Sequence, residues 1–333
     1  MFGARGARRA IGIDLGTANT VAVTARGGIV FDQPSVCCFQ GYDAMPQFVS
    51  AGHVANSYVG KITRPLKIVR PLKNGVLSDM TAARELLHFV HKAIGGKRYF
   101  GRLRPHIGIP ADATQSERSA LFSAATDAGF GKPELVPEPL LAAIGLGLDV
   151  EEARGRMIVD CGAGTTEAAV ISLGGICLTN SVRGGGEELN RSLIEHLHSE
   201  HRFQIGIAAA EAMKLRLSVL LAGTTIDDVV EVRGLDAASG LPRALTVPAS
   251  ELLPVWQKYV SQIVTMVRET LRDTPAELSK DILEDGITLT GGGSLSAFLA
   301  NQITSETTVT TRVADAPRHC VAFGLQRLLE NQE

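Results

Sequence analysis

Two stretches of this chain repeat one another. Residues 11–31 read IGIDLGTANTVAVTARGGIVF, and residues 157–178 read MIVDCGAGTTEAAVISLGGICL. Each runs as an apolar strand ending in aspartate, a Gly/Thr-rich turn, a run of alternating apolar residues, a Gly-Gly turn and another strand. Asp14 falls on Asp160, and Gly27 and Gly28 fall on Gly174 and Gly175. A pattern this long, repeated at so wide a spacing, predicts two domains built on the same β-hairpin core.

The length agrees, because 333 residues exceed the roughly 250–300 at which a single core stops growing. Around the two cores strand and helix signals alternate. Thr114 and Glu117 form a T-x-x-E capping box that opens a helix ending near Gly129. Leu252, Trp256, Val260, Ile263, Val267 and Leu271 recur three or four apart, one buried stripe of a helix over residues 250–273. Residues 282–298 read as a buried strand, a triple-glycine turn and a helix start. The expected fold class is therefore α/β, two pseudo-duplicated domains whose sheets face a shared cleft. The expected boundaries are a basic tail at 1–10, a first domain at 11–145 with an insertion at 32–105, and a second at 146–333 with an insertion at 190–280.

Bulk properties narrow the function classes. A net charge of −2 gives no global drive toward nucleic acid, so no nucleic-acid partner is expected. No stretch approaches the roughly 18 apolar residues of a membrane span, and residues 1–10 lack the apolar core of a secretory signal. The five cysteines show no CxxC spacing and are expected to be reduced core residues of a cytoplasmic protein.

Two Gly/Thr hairpin loops facing one cleft make a phosphate clamp, since glycine lets backbone N–H groups approach phosphate oxygens and threonine adds hydroxyl donors. The first loop supplies Gly16, Thr17, Ala18 and Asn19; the second supplies Gly162, Ala163, Gly164 and Thr165. Asp14 and Asp160 end the strands beside them. Two carboxylates next to polyphosphate need a cation between them, and Mg²⁺ held largely through water suits oxygen ligands. The chain lacks GxxxxGK[ST], and a strand rather than a helix follows the first loop. P-loop and Rossmann phosphate binding are thereby excluded.

Further glycines, Gly291, Gly292 and Gly293 on one side and Gly184, Gly185 and Gly186 on the other, suit a flat adenine or a ribose lying against bare backbone. Glu211 and Lys214 share one helix face, as nucleotide ligands or as a solvated ion pair. Hydrolysis needs a group that orients water in line with the γ-phosphate. Glu138, between prolines in LVPEPLLAAIG, is the candidate, with Thr165 able to hold the same water. The alternative for Glu138 is an acid complementing a helix N-terminus.

These residues resemble the five motifs of the actin/Hsp70/sugar-kinase ATPase superfamily: IGIDLGTANT, VPEPLLAAIG, IVDCGAGTTE, the AEAMK run ending at Lys214, and ITLTGGG. Within it the chain is similar to the MreB-type bacterial actins. The resemblance continues between motifs, in QPSV, VRPLKNGVLSD, PADATQSER, SVRGGGEEL, EVRGLDAASGLPR and PAELSKDI, and spans residues 11–329. Ala163 replaces the usual glycine of the second loop, as in the organelle-aligning MamK-type actins. Glu187 replaces the usual aspartate. The resemblance implies an actin-like fold of four subdomains and an ATPase that forms paired filaments. It places Asp14 and Asp160 at Mg²⁺, both loops at the β- and γ-phosphates, and Gly185, Gly186 and Glu187 near the nucleotide. Glu211 and Lys214 would meet ribose and base, Gly291 to Gly293 the adenosine side, and Glu138 with Thr165 the attacking water. It also implies a peripheral place at the inner membrane face and partners among membrane proteins of cell-wall synthesis. A kinase of the same superfamily would need an additional substrate-directed carboxylate, and none is evident.

Two segments have the composition for an anionic membrane. One is the tail with Phe2, Arg5, Arg8 and Arg9; the other is the loop with Tyr99 and Phe100 among Lys97, Arg98, Arg102 and Arg104. One buried Phe contributes roughly 2 kcal/mol and each Arg near anionic lipid about 1 kcal/mol. A single subunit would bind weakly and a filament firmly, through avidity. Lys61, Arg64, Lys67, Arg70 and Lys73 recur every third residue, but Pro65 and Pro71 break any helix, leaving a solvated face.

Overall fold

The apolar run AIGIDL becomes a central strand because partners flank it on both edges. β1 (Ala10–Leu15) pairs antiparallel with β2 (Asn19–Thr24), Asp14 opposite Val21, and β2 pairs with β3 (Gly28–Pro34). The computed structural model describes residues 10–41, 46–95, 103–221 and 228–332. The chain divides into two compact units, Met1–Val150 with His319–Glu333, and Glu151–Arg318.

In unit 1 the expected insertion carries β4 (Cys37–Gln40), β5 (Gln47–Ala51), α1 (Gly52–Ser57) and β6 (Leu66–Val69), then the short β7 (Leu72–Lys73) and β8 (Val76–Leu77), and α2 (Met80–Ala93). β4, β5 and β6 make a separate three-stranded antiparallel sheet. The chain then returns to the main sheet. β9 (Arg104–Ile109) pairs parallel with β1, α3 (Gln115–Asp127) crosses over, β10 (Glu134–Pro137) pairs parallel with β9, and α4 (Glu138–Leu146) follows. α3 starts where its sequence signal lies: Thr114 Oγ1 accepts from Glu117 N (3.3 Å), and Glu117 Oε2 accepts from Thr114 N (2.7 Å). The strand order is β10-β9-β1-β2-β3.

Unit 2 repeats this plan. β11 (Arg156–Cys161), β12 (Thr165–Ser172) and β13 (Gly175–Arg183) form the antiparallel meander, with Asp160 opposite Glu167. Next come α5 (Gly185–His201), β14 (Phe203–Gln204), α6 (Ile207–Leu220), β15 (Val229–Asp236) and β16 (Pro242–Pro248), and β14, β15 and β16 build a second small sheet. α7 (Ala249–Asp273) and α8 (Ala276–Asp285) lead to β17 (Ile287–Thr290), a 3₁₀ turn (Gly292–Leu295), α9 (Ala297–Thr307) and β18 (Thr311–Val313). The main sheet runs β13-β12-β11-β17-β18, the same plan of meander plus two parallel strands. The predicted stripe of α7 is its buried face: Leu252, Trp256, Val260, Ile263 and Val267 join the unit 2 core, with Leu271 packed at its margin.

One boundary expectation is corrected. Residues 319–333, read as the end of the second domain, belong to unit 1. The reason is packing. α10 (Cys320–Glu330) buries Cys320, Val321, Ala322, Leu325 and Leu329, and Arg327 Nη1 donates to Ile144 O of α4 (2.7 Å). Glycine permits the crossing: a Cβ on Gly145 would stand 1.9 Å from Cys320 O, and one on Gly324 would stand 1.9 Å from Leu141 O. A second correction concerns Cys177, which is exposed on β13; Cys37, Cys38, Cys161 and Cys320 are buried as expected, and all five are free thiols. Among the described residues no helix is long and apolar enough to cross a membrane. Phe2, Arg5, Arg8, Arg9, Lys97, Arg98, Tyr99, Phe100 and Arg102 lie outside the described residues.

Replacing Gly324 with Ala should force α10 off α4 and destabilise unit 1 by about 1–3 kcal/mol, the usual cost of overpacking. Urea unfolding of the full chain measures it; an unchanged midpoint would show that the helices do not approach so closely.

Candidate functional site

Each unit closes the end of its central strand with the same tight turn. Gly16 N donates to Asn19 O at 3.0 Å, and Gly162 N donates to Thr165 O at 2.8 Å. A side chain at either glycine would press on that acceptor, with Cβ 2.8 Å from Asn19 O or 3.0 Å from Thr165 O. The turn therefore demands glycine beside the aspartate, which explains the D-x-G pattern in both halves.

In unit 1, Asn19 is exposed at the loop and Thr17 is buried, its Oγ1 accepting from Gly75 N at 3.2 Å. Ser35 locks the loop from below. Its Oγ donates to Gly16 O (2.6 Å) and pairs with the buried Thr20 hydroxyl (2.8 Å), while its N donates to Ala18 O (2.8 Å). Glu138 is the first residue of α4, behind Pro137 at the N-cap, and is half-buried. The register that pairs Ile13 with Ile107 sets Gly108 beside Asp14, and a Cβ on Gly108 would lie 3.2 Å from Glu138 Cγ. Bare backbone at 108 thus lets the Glu138 side chain lie over β9 at the level of Asp14. The structure brings Asp14, the first loop and Glu138 to one edge of the unit 1 sheet.

In unit 2 the loop is backed by a helix. Gly184 N donates to Gly164 O (2.8 Å), Gly186 N to Gly162 O (3.1 Å) and Glu187 N to Ala163 O (2.8 Å). The first N–H groups of α5, which have no partner within the helix, are spent on the carbonyls of the second loop. Gly184 takes a left-handed conformation (φ 113°), and a Cβ on Gly185 would sit 2.2 Å from Gly162 O. The structure sets these glycines against the second hairpin loop. Gly291 and Gly293 approach the same loop from β17, where their Cβ atoms would meet Cys161 O at 2.3 and 3.1 Å, while Gly292 is exposed.

Glu211 and Lys214 on α6 form an ion pair (2.7 Å) that is tied to α5, with the Lys214 side chain half-buried and that of Glu211 partly exposed. Asn190 of α5 donates to Glu211 Oε2 (2.7 Å), and Lys214 Nζ donates to Gly186 O (3.3 Å). Burial pushes the Glu211 carboxyl up, but hydrogen bonds from Lys214 and Asn190, helped by the charges of Lys214 and Arg318, outweigh it and hold it below its ordinary value. Asp160 behaves oppositely. Burial raises its pKa, and the hydrogen bond from Thr290 Oγ1 (2.7 Å) offsets only part of this. Thr290, Asp160, Glu167 and Ser181 form a polar row across β17, β11, β12 and β13. Glu167 is buried, 3% exposed, and accepts from Thr179 Oγ1 at 3.4 Å.

Sequence reading missed Thr290, Asn190, Ser35 and Glu167. Only Glu167 left a signal: aligning the repeats sets it on Val21, a charged residue where the duplicate needs an apolar one.

Two duplicated five-stranded sheets, each ending its central strand in an aspartate and a glycine hairpin, define an actin-like fold. The chain belongs to the MreB/Mbl family, whose model, described as MreB/Mbl protein, matches residues 8–333. The cell shape-determining protein MreB of Escherichia coli (strain K12) is 38% identical over 323 residues, covering 96% of this chain and 93% of its own. The crystal structure of MreB5 of Spiroplasma citri bound to AMPPNP superposes with a TM-score of 0.89 at 30% identity, covering 98% and 96% of the two chains. A chain of the MamK double helical filament shares the fold, with a TM-score of 0.79 at 24% identity over 96% of this chain and 98% of that one.

Gly185→Ala should separate α5 from the second loop and destabilise unit 2 by about 1–3 kcal/mol, the usual cost of overpacking. Urea unfolding of the full chain checks this, and an unchanged midpoint would show that the start of α5 does not press on the loop.

Proposed function

We propose that this chain is an ATP-dependent cytoskeletal protein that binds Mg-ATP through its hairpin loops, hydrolyses it and assembles into filaments. The observation that carries the reading is the duplicated strand end: aspartate, glycine turn and locked loop in both units, with Glu138 beside Asp14 in only one. Spiroplasma citri MreB5, with the same fold over nearly the whole chain, is a nucleotide-bound relative.

The donor set fits the expected ion. Asp14 and Asp160 offer oxygen ligands alone, which suits Mg²⁺, and the desolvation of Asp160 leaves a carboxylate that gains from a nearby cation. When bound, Mg²⁺ would neutralise charge on the β- and γ-phosphates. The chain's own residues supply the rest. The two loops hold the phosphates through backbone N–H groups, the turn at Gly291 to Gly293 faces the adenosine with Gly292 exposed, and Glu211 with Lys214 faces ribose and base. Glu138, at the start of α4 behind Pro137, accepts a hydrogen bond from water and aims it at the γ-phosphorus, and Thr165 is the second residue proposed to act on that water. That arrangement is positioning and electrostatics, which is what phosphoryl transfer asks of a protein. Glu138→Ala should slow phosphate release about 100-fold while leaving ATP binding intact; an unchanged rate would assign the water to another residue.

Self-assembly, a place at the membrane and a role in cell shape complete the proposal, the last supported by the family's cell shape-determining members. Pelleting and negative-stain imaging with Mg-ATP, with phosphate release followed in the same tube, should give filaments together with phosphate. Phosphate without polymer, on lipid or off it, would sink the filament reading. The aromatic pair Tyr99 and Phe100 and the tail at Phe2 are the proposed membrane contacts. Exchanging Tyr99 and Phe100 for Ser should lower co-sedimentation with anionic liposomes, and equal pelleting would exclude that loop.

A further inference from the structure

Away from the hairpin loops, unit 2 gathers two imidazoles and a carboxylate whose convergence neither the core nor the nucleotide site explains. His196 and His201 lie in the last turns of α5, and Glu251 lies in the first turn of α7. Both imidazole Nε2 atoms address one carboxylate oxygen: Glu251 Oε1 is 3.0 Å from His196 and 2.6 Å from His201. One ligand atom from each residue lies within 4.8 Å of the other two.

Each residue has a local reason to be there, since histidine complements a helix C-terminus and glutamate an N-terminus. Local reasons do not bring them together. His196 and His201 are five apart, a spacing that turns side chains away from one another on a straight helix. They meet on Glu251 of α7, beside the point where α5 stops at His201 and Arg202 turns left-handed (φ 48°). That turn is pinned: Arg243 donates to His201 O (3.3 Å), stacks 4.9 Å over the Phe203 ring, and has its charge paired with Asp236 (2.9 Å). The three side chains are partly open, at 19%, 26% and 32% exposure, so an ion and a water can reach them.

We infer that His196, His201 and Glu251 form a binding site for a transition metal ion of the Zn²⁺ class, bridging the end of α5 and the start of α7. The donor set selects the metal. Two imidazoles and one carboxylate suit Zn²⁺, Co²⁺ or Ni²⁺, whereas Mg²⁺ and Ca²⁺ take oxygen ligands. Zn²⁺ sits about 2.0–2.2 Å from such atoms in a tetrahedron, which needs donors roughly 3.2–3.6 Å apart, a small adjustment of the present side chains. Each imidazole would bind through Nε2 with its proton on Nδ1, and a water would fill the fourth position. The ion would clamp α5, which backs the second loop at its other end, to the long helix that packs beneath the sheet.

The test is a titration of the nucleotide-free full chain with Co²⁺, read by its visible d–d absorption, followed by competition with Zn²⁺. One Co²⁺ per chain is expected, with the bands of a four- or five-coordinate ion, no thiolate charge transfer, displacement by Zn²⁺ and persistence in excess Mg²⁺. His196→Gln, His201→Gln and Glu251→Gln should each weaken Co²⁺ binding at least about 100-fold, and Zn²⁺ should raise the thermal midpoint of the parent chain but not of the variants. Three single variants are available, so misfolding of one leaves two. Absence of Co²⁺ and Zn²⁺ binding, or equal binding in every folded variant, would overturn the site and leave the trio as a carboxylate–imidazole ion pair. Mg-ATP binding and hydrolysis do not enter this readout, so its failure leaves the proposed function standing.

Discussion

The hydrogen bond that closes each hairpin, glycine N–H to the carbonyl three residues on, sets the rest of the structure. It turns the chain within four residues, so a carboxylate at the end of β1 or β11 and the backbone of the following loop meet at one sheet edge. A side chain would clash with the acceptor in the first loop and crowd it in the second. Everything near the proposed site is then arranged to keep the loop in that shape. Ser35 and Gly75 hold it in unit 1; in unit 2 the start of α5 and the turn after β17 do so.

The two copies have diverged where chemistry would require it. Beside Asp14 the parallel strand offers Gly108, and the gap admits Glu138. Beside Asp160 it offers Thr290, whose hydroxyl bonds the carboxylate. Across the meander Val21 has become Glu167. One unit thus carries the acid proposed to act on water, and the other a loop braced by a helix and a buried polar row. A duplicated scaffold makes such differences informative, because the copy shows what the position needs for folding alone.

Much of this was legible in the sequence because it is local. Strand, turn and strand lie within about twenty residues, and the capping box of α3 and the stripe of α7 are short-range codes. What escaped depends on contacts between distant segments. The side on which α10 packs is decided by Gly145 meeting Gly324, and no spacing announces that pair. That residues 184–186 pack against the loop at 162–164 could not be read from their glycines alone. The imidazoles of α5 meet on a carboxylate that arrives from α7.

The chain's path has a consequence for its synthesis. Unit 2 is one continuous run, Glu151–Arg318, whereas unit 1 opens the chain and is completed by residues 319–333. As the polypeptide leaves the ribosome, the first-born unit is the last to be finished. Until α10 emerges, the surfaces of α4 and β1 that it covers lack their lid of Val321, Leu325 and Leu329. The second unit can form a whole core in the meantime. A nascent chain therefore carries an open apolar face from the synthesis of α4 until α10 follows it, and α10 acts as the latch that ends this exposure.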